Sequence, residues 1–299
     1  MIKSLVTFKQ LEAFASVVDS GSFRRAAEVL GTTQPNISTR IATLENVLGI
    51  VLMHRDAGSV RLTEKGETLL LAARKVLLAG EDFLEIAGRR DLIDDRLRLG
   101  VTELVACTWL HDFLREFKTL YPAIRVELDV NLSAEVEKDL VAGQLDLALQ
   151  TGPFSRKMAG SLALGRYRYG WVAAPELALG ETPDFAALFA HPVLSHGRHT
   201  RASAALAGHA RTQGLAVNQI VHSSSLTSCL AMALDGMGPA LLPRPMYCTD
   251  VAAGRLVEFD CGWTPETLEF FARYDPLRVP HFVQTAAELA VNVSAHARG

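Results

Sequence analysis

The sequence is poor in features that mark secreted, membrane-spanning or metal-binding proteins. Its four cysteines, Cys107, Cys229, Cys248 and Cys261, are far apart and form no C-x-x-C pair. The spacing therefore predicts neither a zinc site nor a disulfide framework, and we expect four separate buried thiols. The N-terminus lacks an apolar leader segment, and no apolar run is long enough to cross a bilayer. Both absences favour a cytoplasmic protein without membrane contact.

Motifs of catalysis are also missing. The sequence contains no G-x-S-x-G elbow, no P-loop and no H-E-x-x-H. Gly236–Gly238 follows a helical segment and lacks the third glycine of a dinucleotide-binding loop, while His196 and His199 have no acidic or cysteine ligand beside them. We therefore predict no catalytic residue, no metal site and no cofactor.

Charge is nearly balanced in the whole chain, with a net charge of −3 at pH 7. Residues 1–62 differ, because seven basic side chains oppose five acidic ones, for a net charge of +2. So small an excess predicts weak binding of nucleic acid by a single copy. Useful affinity would need two or more copies on adjacent half-sites.

Two short helical stripes separated by a tight turn lie between Gly21 and Gly49. The apolar positions recur at helical spacing, and they are Phe23, Ala26, Ala27 and Leu30, then Ile37, Ile41, Leu44 and Leu48. The small alanines allow the close, steep crossing of a helix-turn-helix. Thr33 is a candidate N-cap of the second helix, and Pro35 fits its first turn. Periodicity alone fits an ordinary antiparallel helix pair equally well.

The exposed side of the second helix is polar and suited to DNA. Its amide, hydroxyl and guanidinium groups match the donors and acceptors of base edges and phosphates. Two apolar segments around Asp56–Gly58 predict a hairpin wing flanked by arginines, although these side chains could simply be solvated strand ends. The predicted DNA-binding residues are Ser22, Thr33, Gln34, Pro35, Asn36, Ser38, Thr39, Arg40, Arg55 and Arg61.

Residues 8–66 resemble the winged helix-turn-helix of the LysR-type transcriptional regulators. The resemblance rests on Phe8, Leu11, Phe14 and Val17, then GSFRRAAEVLGTTQPNIS, IATLENVLG, Leu52–Arg55 and VRLTEKG. Three places depart from the family pattern: Met53 replaces the usual Phe, Arg40 a common Gln, and Asp56–Gly58 an often basic wing tip. The first exchanges one apolar side chain for another, whereas the other two would alter the operator sequence or weaken phosphate contacts.

The resemblance extends over the chain and implies an α/β fold class with an all-α N-terminal domain. It implies a winged helix-turn-helix over 1–62, a linker and dimerisation helix over 63–90, and an effector-binding domain over 91–299 similar to periplasmic binding proteins. Lobe I would span about 96–166 and 266–292, and lobe II about 167–265. Homo-oligomers, commonly tetramers, double-stranded promoter DNA as partner, and a small-molecule effector are implied as well.

The residues themselves agree with this layout. The segment 63–90 carries one long apolar stripe that has no partner nearby in sequence, so pairing with a second copy is the simplest solution. Beyond a polar hinge at Asp91–Arg96, strand and helix alternate, with one helix expected over 103–120 and a strand over 251–259. Such a βαβαβ pattern predicts a parallel sheet.

Polar side chains follow several of the predicted strands. Ligands of open α/β sheets bind beyond the carboxyl ends of strands, where helix N-termini offer free N–H groups, so a carboxylate or another polar metabolite is the expected effector. Each residue could instead be only a helix cap. The predicted effector residues, some supported by the family resemblance, are Thr102, Glu103, Leu104, Ser133, Thr151, Ser195, His196, His222, Ser223 and Ser224.

Two alternatives remain open from sequence. The α/β region could be an enzyme with an appended DNA-binding module that turns over the compound it recognises. The chain could also be a redox-sensing regulator, with Cys107 activated by a helix N-terminus.

Overall fold

The structure, a computed structural model, describes residues 5–56 and 59–296, apart from the side chains of Arg55, Asp56 and Ser59. The chain divides into two compact units, Met1–Ile93 and Asp94–Gly299. Within the described ranges, no helix is both long and apolar enough to span a membrane.

The N-terminal unit is a winged helix-turn-helix followed by a long helix. Its elements are α1 (Phe8–Ser20), α2 (Phe23–Val29), α3 (Gln34–Leu48), β1 (Met53–Asp56), β2 (Ser59–Leu62) and α4 (Glu64–Ile86). Ala26 is fully buried between the helices, and Ile37 and Ile41 of α3 are also fully buried. Burying each isoleucine contributes about 1.5–3 kcal/mol, which fixes the inward face of α3 and leaves its opposite face to solvent.

The wing is fastened to the first turn of α4. β1 and β2 pair antiparallel, and the tip predicted at Asp56–Gly58 lies outside the described residues except for the backbone of Asp56. Thr63 Oγ1 donates to the carbonyl of Val51 at 2.8 Å and accepts the N–H of Gly66 at 2.9 Å. A Cβ at position 66 would lie 2.0 Å from the carbonyl oxygen of Leu52. Only glycine fits there.

The second unit contains two five-stranded sheets. Lobe I begins with β3 (Arg96–Val101), α5 (Glu103–Cys107), α6 (Leu110–Leu120), β4 (Arg125–Val130), α7 (Ser133–Val141), β5 (Leu147–Thr151) and β6 (Gly160–Tyr167). Lobe II comprises β7 (Tyr169–Ala173), α8 (Phe185–Leu188), β8 (Val193–His196), α9 (Arg201–Thr212), β9 (Ile220–Ser223), α10 (Leu226–Leu234), β10 (Ala240–Pro243), α11 (Cys248–Ala252) and β11 (Val257–Phe259). The chain then returns to lobe I as β12 (Leu268–Tyr274) and α12 (His281–His296).

Strand order confirms the predicted βαβαβ unit. The first sheet runs β4-β3-β5-β12-β6, in which β3 is parallel to β4 and β5 while β12 is antiparallel to both of its neighbours. The second runs β11-β7-β10-β8-β9, with β8 parallel to β9 and β10. Parallel strands bring their carboxyl ends, and the residues that follow them, to one edge of each sheet.

Two predicted elements were wrong in detail. The helix expected over 103–120 breaks between α5 and α6, because Trp109 turns inward, is 1% exposed and donates its indole N–H to the Tyr167 hydroxyl at 3.0 Å. The strand expected over 251–259 is helical up to Ala252 and extended only from Val257. Gly254, at φ +71°, separates the two parts.

Candidate functional site

The first turn of α3 is exposed and contains no acidic side chain that would offset the partial positive charge of the helix N-terminus. Gln34, Pro35, Asn36 and Thr39 are exposed, whereas the neighbouring Ile37 is buried. Thr33 stands at the predicted N-cap position in extended conformation, and its side chain makes no capping hydrogen bond. No acidic residue lies in this turn. The partial positive charge of the helix N-terminus is therefore open to an external anion.

Few polar side chains on this face form hydrogen bonds within the protein. Asn36 Nδ2 donates to Thr32 Oγ1 at 3.2 Å, and Thr39 Oγ1 donates to the Pro35 carbonyl at 3.0 Å. In the part of the chain that the structure describes, the side chains of Gln34 and Arg40 make no hydrogen bond or ion pair. Among the described residues, the side-chain Oδ1 of Asn36, the Gln34 carboxamide and the Arg40 guanidinium therefore have no competing internal partner.

The remaining predicted DNA-binding residues lie at the start of α2, on α3 and in the wing. Ser22 is the N-cap residue of α2 and is partly exposed, as are Ser38 and Arg40 on α3. Arg61 is exposed on β2 opposite His54. The side chain of Arg55 lies outside the described residues.

In the second unit, the lobe I candidates lie together at the carboxyl ends of β3 and β5. The Thr102 N–H donates to the Leu149 carbonyl at 3.2 Å, and the Thr151 N–H donates to Ser133 Oγ at 3.2 Å. Ser133 begins α7 and is not its N-cap, a position taken by Leu132. Leu104 is buried at 3% exposure, so only its backbone is polar there.

The lobe II candidates other than His222 lie at the carboxyl ends of β8 and β9 or just beyond them. Ser195 is buried in β8, and His196 Nε2 lies 3.1 Å from the carbonyl of Ser224. Ser223 Oγ accepts the N–H of Ser225 at 3.1 Å. Ser225 caps α10, since its hydroxyl accepts the Ser228 N–H at 3.1 Å.

Glu103 joins the two lobes, a role that sequence did not predict. Its Oε1 accepts the Ser225 hydroxyl at 2.8 Å, the Thr227 hydroxyl at 3.0 Å and the Thr227 N–H at 3.1 Å, and its Oε2 accepts the Leu226 N–H at 2.5 Å. Desolvation opposes ionisation of the carboxyl, but these hydrogen bonds together outweigh it and hold the pKa of Glu103 below its ordinary value. The carboxylate is therefore charged near neutral pH.

The two histidines have different surroundings. His196 Nε2 lies 3.9 Å from Glu103 Oε2, yet burial lowers the pKa of His196 despite its contacts with Ser224 and Glu103. His222 does not join this group. It shares a hydrogen bond of 3.1 Å with Ser203 and lines a separate cavity of about 640 Å³ within lobe II, beside Arg198 and Arg211. Burial, and then the charge of Arg198, lower the pKa of His222.

Two buried polar groups near the edge of the lobe I sheet have no partner. Thr102 is 9% exposed and follows β3 at the N-cap position of α5, but its Oγ1 makes no hydrogen bond. Gln150 is fully buried in β5, and both polar atoms of its side chain are unpaired. Sequence reasoning missed Gln150, although a glutamine that ends an otherwise apolar strand was a usable signal.

The cysteines differ from the expected buried thiols. Cys229 is buried and Cys261 partly so, whereas Cys107 and Cys248 are exposed, and all four are free. Burial raises the pKa of Cys229 to about 11, so this thiol is protonated at neutral pH. Cys107 Sγ lies 3.6 Å from Thr227 Oγ1. Its redox role stays a prediction. Over the described ranges, no cluster of three or more His, Cys, Asp or Glu could hold a metal ion.

Comparison with known proteins gives both units the same identity. Residues 8–67 match the family described as bacterial regulatory helix-turn-helix protein, lysR family, and residues 90–292 match the LysR substrate binding domain.

Relatives cover the chain to different extents. HTH-type transcriptional regulator PtxR of Pseudomonas aeruginosa is 29% identical over an alignment of 297 residues that covers 95% of this chain and 93% of that protein. A probable RuBisCO transcriptional regulator of Thalassiosira pseudonana is 31% identical over 147 residues, so the match spans 49% of this chain and 48% of that relative.

Similarity of fold extends over the whole chain. Full-length LysG from Corynebacterium glutamicum, solved with bound effector Arg, has a TM-score of 0.59 and 24% identity and covers 97% of this chain and 98% of that one. The helix-turn-helix unit, the two-sheet unit and the two family matches together establish that the chain belongs to the LysR family of transcriptional regulators.

Proposed function

We propose that this chain binds operator DNA through α3 and its wing and changes that binding when a small effector enters the cleft between its two α/β lobes. The observation that carries the proposal is the first turn of α3, which is exposed, free of acidic residues and little used by the protein itself. A helix of this kind suits the major groove, where phosphates meet the helix N-terminus and side chains meet base edges.

The DNA contacts divide by chemistry. Gln34, Asn36 and Arg40 carry the amide and guanidinium groups that form bidentate contacts with purine edges. The hydroxyls of Ser22, Ser38 and Thr39, together with Arg61, suit phosphate oxygens and fix the register of the helix. We include Thr33, Pro35 and Arg55 by their positions at the start of α3 and in the wing.

Self-association supplies the missing affinity. Helix α4 exposes several large apolar side chains, with Phe83 71% and Ile86 87% exposed, and Val76 lies on the same helix at 46%. A second copy of α4 is the natural partner for such a stripe. Two helix-turn-helix units in a dimer, and four in a tetramer, would raise the weak affinity expected of one unit with a net charge of +2.

The cleft acts as a sensor and carries out no catalysis in this proposal. Glu103 and His196 face each other across the lobes, and the hydroxyls of Thr102, Ser133 and Thr151 stand at the strand ends beside them. LysG, which shares the fold, was solved with arginine as effector. Because DNA is the target, we place the protein in the cytoplasm. An effector shifts operator binding only if it prefers one arrangement of the oligomer.

The first test is binding of the purified protein to labelled DNA from the region upstream of its own gene, with unrelated DNA as competitor and salt as the variable. We expect specific retention and a steep fall of affinity with salt, the sign of phosphate contacts. If genome-wide selection of bound fragments also yields no specific sequence, the proposal is wrong.

A further inference from the structure

The N-terminus of α10 already holds an anion. Glu103 comes from the start of α5 in lobe I, and its carboxylate accepts the backbone N–H groups of Leu226 and Thr227 in lobe II. Two hydroxyls, from Ser225 and Thr227, complete the contact. A helix N-terminus that points two N–H groups at a carboxylate is an anion-binding site. In this chain the anion is internal.

With the Glu103 carboxylate in place, the N-terminus of α10 has little capacity to bind another anion. Oε1 accepts three hydrogen bonds and Oε2 one. Among the described residues, the only basic group within ion-pair distance of Glu103 is His196, at 3.9 Å. An entering carboxylate or phosphate would therefore meet a fixed negative charge that no lysine or arginine neutralises.

Two buried polar side chains of lobe I, Thr102 and Gln150, are unpaired and uncharged. Thr102 precedes Glu103 in the chain, and its buried hydroxyl has no partner. Gln150, on the strand that receives the Thr102 N–H, has an unpaired carboxamide at full burial. Buried donors and acceptors are costly when left unpaired, so both groups call for a ligand or water that can give and accept hydrogen bonds.

We infer that Glu103 determines the specificity of the effector cleft: it acts as a built-in anion on α10, excludes anionic effectors, and favours an uncharged hydrogen-bonding effector, such as an amide or polyol, that pairs with Thr102 and Gln150. The inference rests on the proposed function in taking this cleft as the effector site. It narrows the sequence-based expectation, in which a carboxylate was one of the candidate effectors.

A competing arrangement has the effector's own carboxylate displace Glu103. Displacement must overcome the advantage of a tethered group, whose effective concentration at its site is in the millimolar range or above. It would also move the Glu103 charge away from four hydrogen bonds. The two arrangements predict opposite responses to a simple anion.

The test uses acetate as the probe anion and acetamide as its uncharged counterpart on the full-length protein. Three variants are compared with wild type: Glu103→Ala, which empties the α10 site; Glu103→Gln, which keeps the shape without the charge; and Glu116→Ala, which removes an exposed carboxylate from α6 as a matched control. Binding is followed through the backbone amide shifts of Leu226 and Thr227 and through the melting temperature, at constant ionic strength.

We expect acetate to bind Glu103→Ala at least roughly tenfold more tightly than wild type, the factor contributed by one hydrogen bond to a charged group. Acetamide should bind wild type and Glu103→Ala equally well, and Glu116→Ala should bind acetate as wild type does. Equal acetate binding by wild type and Glu103→Ala at these amides would overturn the inference, as would a wild type that releases Glu103 in acetate. If Glu103→Ala fails to fold, Glu103→Gln takes its place because it removes the negative charge, and acetate binding to Glu103→Gln that is no tighter than to wild type would overturn the inference.

Operator binding is recorded separately in the same samples. Loss of specific DNA binding in wild type would refute the proposed function while leaving the acetate result intact. Acetate binding that contradicts our expectation in a protein that still binds its operator would refute only the role of Glu103.

Discussion

The N-termini of α3 and α10 make an instructive pair. Both helices begin after a hydroxyl residue, Thr33 and Ser225, and neither has an acidic residue in its first turn. At α3 the turn is exposed, and no side chain among the residues that the structure describes caps it. At α10 the same kind of turn receives the carboxylate of Glu103, which is more than a hundred residues earlier in the chain. One helix start is open to solvent, and the other is closed by the fold.

The difference shows that a helix N-terminus has no fixed role of its own. Its partial charge favours any anion that can reach it, so the surrounding structure decides whether that anion is a DNA phosphate, a free metabolite or a side chain. In this chain α3, the proposed DNA-binding helix, keeps its capacity for phosphate. The capacity of α10 is taken up by Glu103 of the same chain.

The largest expected effect comes from making α3 resemble α10. Thr33→Asp adds a carboxylate at the α3 N-cap, where it should leave the helix as stable as before or stabilise it by about 0.5 kcal/mol. Operator affinity should nevertheless fall by several kcal/mol because like charges meet at the DNA backbone. Gel-shift and thermal melts measure the two quantities. Thr119→Asp, the same charge change at an exposed position of α6, should leave operator affinity unaltered.

A smaller loss should follow from removing the side chains that α3 offers to bases. Gln34→Ala and Arg40→Ala should each lower operator affinity by roughly 1–3 kcal/mol if bidentate contacts are lost. The salt slope separates their roles: a phosphate contact lowers it by about one when removed, and a pure base contact does not. Unchanged affinity in both variants would show that α3 is not the reading helix.

Acid should weaken the contact between Glu103 and α10 and should leave α3 unaffected. The lowered pKa of His196 means that the unfolded chain takes up its proton first, so stability begins to fall below about pH 6.5. The stabilisation from Glu103 is complete above its ordinary pKa and is lost as pH falls through the lowered value. Melting of the effector-binding unit against pH should show both losses. His196→Asn should remove the first, and Glu103→Gln the second; curves parallel to wild type would contradict this.

The smallest effect, and the most specific, belongs to Thr102. Thr102→Val removes a buried hydroxyl that has no partner, so the free energy of unfolding should stay the same or rise by about 1 kcal/mol. The response of operator binding to its effector should weaken, because the ligand loses this contact. A destabilised Thr102→Val protein would mean that an ordered water, and not the effector, satisfies the hydroxyl.

Local patterns predicted much of this fold. The two apolar stripes between Gly21 and Gly49 form α2 and α3, and the parallel pairing of β3 with β4 and β5 follows from the alternation of strand and helix. The break after Cys107 could not be predicted, since it depends on the burial of Trp109 against Tyr167 from a distant strand. Gly254, in contrast, was a signal in the sequence against one continuous strand over 251–259.

The two candidate sites also differ in how much of them the sequence could predict. Exposure of Gln34 and Asn36 follows from the period of α3, so sequence was sufficient there. The cleft needed tertiary structure: sequence left Thr102 as an effector residue or a helix cap, and its hydroxyl is unpaired, while His222 faces Ser203 and a different cavity. Glu103 was chosen for its backbone N–H, whereas its side chain makes the decisive contact.

The junction at Gly66 has a mechanical consequence. With the Leu52 carbonyl pressed against the start of α4 and Thr63 bonded to both segments, no flexible joint separates the wing from the long helix. In the proposed dimer, each wing would then move together with its α4 as one rigid unit. A change in the angle between two paired α4 helices would swing the wing tips along the DNA, with no bending at the junction to absorb it.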